Sequence, residues 1–183
     1  MIIIALTGLA RSGKDTAANV LEKKFGFKKL VFSDFLRAEV ERRGLEISKE
    51  NMSKVGDELR KAEGMDCVAK RLWLEAKKFE KVVAVGMRSV EEAEFLKGRA
   101  GSFYLIALKA DPSMRFERKS EADPQAEKDF FARDERDVAN KGLGKIIGLA
   151  DIVIENNSTL DALEKKVESA AGLAAKKSRQ KPA

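Results

Sequence analysis

The chain has 183 residues and a formal net charge of +6, is 44% hydrophobic and 36% charged, and contains no histidine. That length fits one domain able to bury about two-thirds of its unfolded surface, the composition is that of a soluble globular protein, and the lack of histidine excludes any imidazole base. Four of the six excess positive charges, on Lys176, Lys177, Arg179 and Lys181, lie in the last stretch; with +2 left for residues 1–175, the basic balance is weak ground for nucleic-acid binding.

The opening, Met1–Gly8, is apolar but lacks a basic leader and runs straight into a glycine loop. It reads as a buried strand and not as a signal peptide. Further strand-length apolar runs fall at Leu30–Phe32, Val82–Val85, Phe103–Leu108 and Ile152–Ile154. Their continuous apolarity suits a parallel sheet covered on both faces. Between them apolar residues recur at helical spacing: Ala17, Val20, Leu21, Phe25; Met52, Val55, Leu59, Ala62; Val68, Leu72, Ala76, Phe79; Val90, Ala93, Leu96; and Leu160, Leu163, Val167, Ala171. Ser158 is placed to cap the last of these helices. Ser33 or Asp34 is placed to cap the helix after the second strand. Alternating strands and helices predict an α/β sandwich. The domain spans 1–175, with a polar loop at Ser120–Lys128 inside a lid at about 112–138, and the basic tail 176–183 reads as disordered. No run of about 18 apolar residues exists, so no membrane span is expected. The single cysteine, Cys67, allows no intrachain disulfide and points to a cytoplasmic location. Cys67, Trp73 and Tyr104 read as packing residues.

Residues 8–16 read Gly-Leu-Ala-Arg-Ser-Gly-Lys-Asp-Thr. This matches G-x-x-x-x-G-K between a strand and a helix, the setting a phosphate-binding loop requires. Glycines let several backbone N–H groups converge on phosphate, and the following helix adds the positive end of its dipole. Lys14 reaches the β- and γ-phosphates. Gly8, Ala10, Arg11, Ser12, Gly13, Lys14, Asp15 and Thr16 are the expected nucleotide contacts. The residue after the lysine is Asp15 where a hydroxyl is usual, and Thr16 follows; Thr16, Asp15 and Asp34 are the candidate magnesium ligands. Thr16 could instead bond its own helix backbone.

The ending G-K-x-T resembles that of nucleoside monophosphate kinases. The segment Phe32-Ser33-Asp34-Phe35-Leu36-Arg37 resembles the adenylate-kinase stretch in which an Asp precedes a helix and an Arg follows. The resemblance implies that Asp34 orients metal-bound water and Arg37 holds an acceptor phosphate. Val85-Gly86-Met87-Arg88-Ser89, with Glu91 and Glu92, is similar to the stretch that supplies a second acceptor arginine, here Arg88; Val85 replaces its usual acid. Arg115 and Arg118, then Arg133 and Arg136, flank the polar loop as lid arginines do, though ion pairs within their own helices with Glu117, Asp134, Glu135 and Asp137 would also account for them. Ala150–Asn157 is similar to a segment of dephospho-coenzyme A kinases, placing Asn156 and Asn157 near the adenine, unless they serve turn geometry.

Over roughly residues 1–170 the chain therefore resembles the adenylate kinase and dephospho-coenzyme A kinase branch of P-loop nucleotide kinases, and more closely an archaeal group related to adenylate kinase. The resemblance implies a three-layer αβα sandwich around a five-stranded parallel sheet of order 2-3-1-4-5. It implies ATP with Mg2+ as donor and a small nucleotide as acceptor, handled by a monomer or homodimer. The implied catalytic set is Lys14, Asp34, Arg115, Arg118, Arg133 and Arg136. Two other functions fit the same residues: a dephospho-coenzyme A kinase with Asp34 as base, and a P-loop NTPase switch or assembly factor without a small acceptor.

Overall fold

The computed structural model describes residues 1–118, 126–140 and 142–179. The strands are β1 (Ile2–Thr7), β2 (Lys28–Val31), β3 (Lys81–Val85), β4 (Ser102–Lys109) and β5 (Ile152–Glu155). The helices are α1 (Lys14–Phe25), α2 (Phe32–Arg42), α3 (Lys49–Glu63), α4 (Cys67–Ala76), α5 (Val90–Lys97), α6 (Pro112–Glu117), α7 (Glu127–Asn140), α8 (Leu143–Gly148) and α9 (Leu160–Arg179). All strand pairs are parallel and the order is β2-β3-β1-β4-β5.

Alternate residues of each strand enter opposite layers. Ile3 and Ala5 of β1 pack with Val40, Val55, Leu59, Leu72, Leu96 and Ile146 from α2 to α5 and α8. Ile4 and Leu6 pack with Val20 and Leu21 of α1 and Leu163 and Val167 of α9. Both faces are apolar because both are covered, which is why the strands show no polar alternation. Cys67 and Tyr104 are buried and Trp73 packs partly buried against the same core. The parallel order brings the carboxyl ends of β1, β3 and β4 together, with the turns after them on one edge of the sheet.

Four local expectations change. The last helix is capped by Thr159, whose Oγ1 accepts the Ala162 N–H at 3.3 Å, one residue beyond Ser158. Helix α2 starts at Phe32 out of extended Val31, so Ser33 and Asp34 lie inside its first turn and neither is the cap. Phe79 lies beyond the end of α4 and is exposed. Helix α9 continues to Arg179, carrying regular structure into the stretch expected to be disordered, because its Ala and Lys residues are good helix formers; residues 180–183 lie outside the described residues, as does most of the polar loop, 119–125.

Thr159→Ala is expected to lower stability by about 1 kcal/mol and Ser158→Ala to leave it unchanged, measured by urea unfolding.

Candidate active site

Backbone shape makes the loop between β1 and α1. Gly8 and Gly13 have φ of +139° and +100°, and Arg11, the one non-glycine with positive φ among the described residues, has +58°. No side chain fits at either glycine: a Cβ on Gly8 would strike the Leu108 carbonyl oxygen, and one on Gly13 the Asn156 amide nitrogen. The Asn156 Nδ2 donates to the Ser12 carbonyl at 2.9 Å, so the turn after β5 braces the loop from behind. Asn157 accepts the Asp111 N–H at 2.8 Å and donates to its carboxylate at 2.9 Å. Both asparagines thus have structural partners.

Lys14 donates to the carbonyls of Gly8 and Leu9 at 2.8 and 2.7 Å. Part of its stem is exposed, but the ammonium is enclosed by the loop. Burial first, then the nearby Arg88 guanidinium, push its pKa down to about 8; Arg133 and Arg115 add to the fall and Asp15 opposes it. Arg133 is half-buried, burial and Arg88 lower its pKa, and its Nη1 finds no hydrogen-bond partner among the described residues. Lys14, Arg88 and Arg133, from three different elements, therefore gather closely enough to oppose one another's charge.

Two buried acids of α7 answer part of that charge. Asp137 pairs with Arg88 at 2.7 Å and Asp134 with Arg115 at 2.6 Å. These pairs join separate elements instead of neighbours on one helix. The main chain of Arg88 is held too: buried Glu92 accepts the N–H groups of Arg88 and Ser89 at 2.8 and 3.3 Å, while Ser89 Oγ accepts the Glu92 N–H at 3.2 Å. Burial raises the Glu92 pKa, countered in part by the Arg88 N–H.

The remaining candidates are spread. Arg115 is 3% exposed and bonded to main chain on two sides. Arg118 donates to the Asn156 carbonyl at 2.7 Å. Arg136 is exposed on α7. Asp34 and Arg37 are exposed on α2, and Asp15 is exposed and paired with Lys29 at 3.1 Å. Val85, where the resemblance implied an acid, is buried in the apolar core. Among the described residues no three His, Cys, Asp or Glu side chains converge as a metal cage. A cavity of about 280 Å³ opens beside the loop, lined by Ser12, Asp111, Pro112, Arg115 and Glu155 among others. The Ser12 hydroxyl is buried without a partner among the described residues. The roles of Asp134 and Asp137 are what motif reading could not assign, since their partners Arg115 and Arg88 lie on elements distant in sequence.

A strand, a glycine-bent loop with its lysine, an α1 running from it and a sheet of order 2-3-1-4-5 define a P-loop fold. Residues 7–130 match the family model described as AAA domain. The chain is 35% identical over 173 residues to the UPF0200 protein of Methanothrix thermoacetophila, covering 91% of this chain and 94% of that one, and 34% identical over 175 residues to that of Aeropyrum pernix, covering 94% of each; it belongs to this UPF0200 family of AAA-domain proteins. It is also 37% identical over 176 residues to a UPF0200/UPF0201 protein of Archaeoglobus fulgidus, whose length it spans by only 54%. In fold it is similar to shikimate kinase from Aquifex aeolicus (TM-score 0.60, 21% identity, 94% and 98% of the two chains). It is likewise similar to a gluconokinase from Sinorhizobium meliloti (TM-score 0.59, 14% identity, 98% and 97%). Among the described residues no helix is long and apolar enough to cross a membrane.

The Lys14 pKa carries a signed consequence. The unfolded lysine keeps its proton up to about 10.5 and the folded one only to about 8. The cost of the enclosed ammonium is thus present below pH 8 and fades as pH rises from 8 to 10.5, where stability gains from this group. A bound polyphosphate restores the charge. Affinity for ADP is expected to be flat in this term below pH 8 and to fall by up to about tenfold per pH unit above it. Calorimetric titration at stepped pH checks this; in Lys14→Arg, whose charge persists, the fall disappears.

Proposed function

We propose that the chain is an ATP- and magnesium-dependent phosphotransferase that moves the γ-phosphoryl group to a nucleoside monophosphate or similar small nucleotide. The observation that carries this reading is the gathering of Lys14, Arg88 and Arg133 at the carboxyl edge of the sheet, with one buried guanidinium N–H of Arg133 unanswered by the described residues. Packing like charges together costs free energy, and a polyanion shared between them offsets that cost through charge-assisted hydrogen bonds.

In this reading the loop amides and Lys14 hold the donor phosphates, and the cavity beside Ser12 and Arg115 takes the base. Arg88, aimed by Asp137 and Glu92, holds the acceptor's phosphate with help from Arg37. Arg133 neutralises charge on the transferring group. Of the other lid arginines, Arg115 and Arg118 brace the site and Arg136 faces solvent. Thr16 and Asp34 are the residues that would hold a magnesium ion, since Asp15 is engaged with Lys29, and the ion would supply further neutralisation of phosphate charge. Holding the reacting groups in line needs no histidine, because phosphoryl transfer depends on position and charge. One observation favours a second reading, an NTPase switch without small acceptor: the site of the expected strand-end acid is occupied by buried Val85.

Incubation with ATP and Mg2+ and, side by side, AMP, CMP, dCMP and dephospho-coenzyme A tests these readings. Transfer to a monophosphate supports the first, whereas slow ADP release indifferent to every acceptor supports the switch. With an active acceptor, Arg133→Ala is expected to lower kcat on the order of 1000-fold and Arg136→Ala to change it little. If properly folded Lys14→Ala binds ATP as tightly as the parent, neither reading stands.

A further inference from the structure

We propose that Arg115 is a positioning residue that couples occupancy of the cavity beside the phosphate loop to the placement of Arg133 on α7. The inference rests on reading that cavity as the seat of the nucleotide's base.

Arg115 is a charged side chain 3% exposed, and its guanidinium meets three separate parts of the molecule. Its Nε donates to the Ala110 carbonyl at the end of β4, at 3.2 Å. Its Nη1 donates to the Ala10 carbonyl of the phosphate loop at 3.2 Å. The same Nη1 lies 2.6 Å from the Asp134 carboxylate on α7. Its Cζ sits 5.4 Å from the centre of the Phe130 ring, also on α7. Arg115 also lines the cavity. One buried side chain therefore spans cavity wall, loop and the helix that carries Arg133, and Asp134 is the residue next to Arg133.

A second link runs parallel. Arg11, in its left-handed backbone conformation, donates to the Phe116 carbonyl at 3.3 Å and lays its guanidinium over the opposite partner of this junction, the Phe130 ring, at 4.5 Å. The ring centroids of Phe116, Phe130 and Phe131 lie 5.3 to 6.2 Å apart in tilted and edge-on contacts, so the junction is packed as well as charged. A packed, charged contact of this kind moves as a unit and does not stretch. A ring entering the cavity meets Arg115, and any shift of Arg115 passes directly through Asp134 to α7. A ligand made of phosphates alone occupies the loop and leaves the cavity empty. Lysine cannot substitute, because a single ammonium lacks the fork that reaches two carbonyls and a carboxylate at fixed angles.

The test is amide hydrogen exchange of α7, residues 127–140, in the full chain with ADP or with pyrophosphate. The comparison is the double variant Arg115→Gln with Asp134→Asn, which removes both charges together so that neither is buried alone. ADP is expected to slow exchange in α7 of the parent about tenfold, the scale of one charge-assisted contact, while pyrophosphate leaves it unchanged. The double variant is expected to bind ADP and lose the α7 protection. Arg115→Lys, which keeps a cation opposite Asp134 without the fork, is expected to behave the same way. Protection by pyrophosphate equal to that by ADP, or protection retained in the ADP-bound variants, overturns the coupling and leaves the nucleotide reading intact. A parent that binds no ADP overturns the nucleotide reading itself, and the coupling with it.

Discussion

Positive charge held against its own repulsion is the constraint around which the carboxyl edge of the sheet is organised. Lys14 opens α1 at the end of the loop after β1, Arg88 comes from the loop after β3 and Arg133 from α7; Arg115, after β4, adds a further cation. The parallel order makes that meeting unavoidable, since β3, β1 and β4 are adjacent and their carboxyl ends coincide. Burial first and the neighbouring Arg88 second hold the pKa values of Lys14 and Arg133 below their ordinary range. Asp134 and Asp137 lower the total without abolishing it. A site left in electrostatic debt of this kind is preorganised for anions: its donors are already oriented and little reorganisation remains when a polyanion arrives.

Strain in the loop belongs to the same arrangement. A phosphate cradle needs N–H groups turned inward, which forces carbonyls outward and φ to positive values. Here four carbonyls of the loop have partners. Those of Gly8 and Leu9 hold the Lys14 ammonium, that of Ala10 takes Arg115, and that of Ser12 takes Asn156. The unfavourable φ of Arg11 persists because its guanidinium is held at Phe116 and Phe130. The loop is thus stiffened by elements more than 100 residues away in sequence, and its shape depends on β4, β5 and α7 as much as on its own glycines.

That dependence explains what was legible in the chain. The strand runs and the G-x-x-x-x-G-K spacing are local, and they carried the parallel α/β sandwich and the loop directly, while the strand order came from the family resemblance. Ser158 against Thr159 is a one-residue question that periodicity cannot resolve, because both residues can cap. Asp134 and Asp137 sit three residues apart amid arginines on the same helix, so sequence alone offers local ion pairs as the economical reading. Only the approach of α7 to α6 and to the loop after β3 shows that they turn instead to Arg115 and Arg88. Arg115 and Arg133 look equivalent in sequence; in space one is bonded to main chain on two sides and the other has a buried N–H to spare.

The inequality between those two arginines bears on how the site is built. A guanidinium whose donors are satisfied by main chain and carboxylate has little left for a ligand, so it acts through what it holds in place. One with an unsatisfied buried donor gains most from an anion, because the cost of its desolvation has already been met by the fold. The buried Val85 sharpens the division. With no carboxylate at the end of β3, that strand does not lower the local positive charge, and Arg88 is offset by Asp137 from α7. Neutralisation thus comes from a helix and not from the sheet, so the charge presented to a ligand depends on where α7 sits. Below about pH 8, where Lys14 keeps its proton, the position of that helix sets the strength of the anion site.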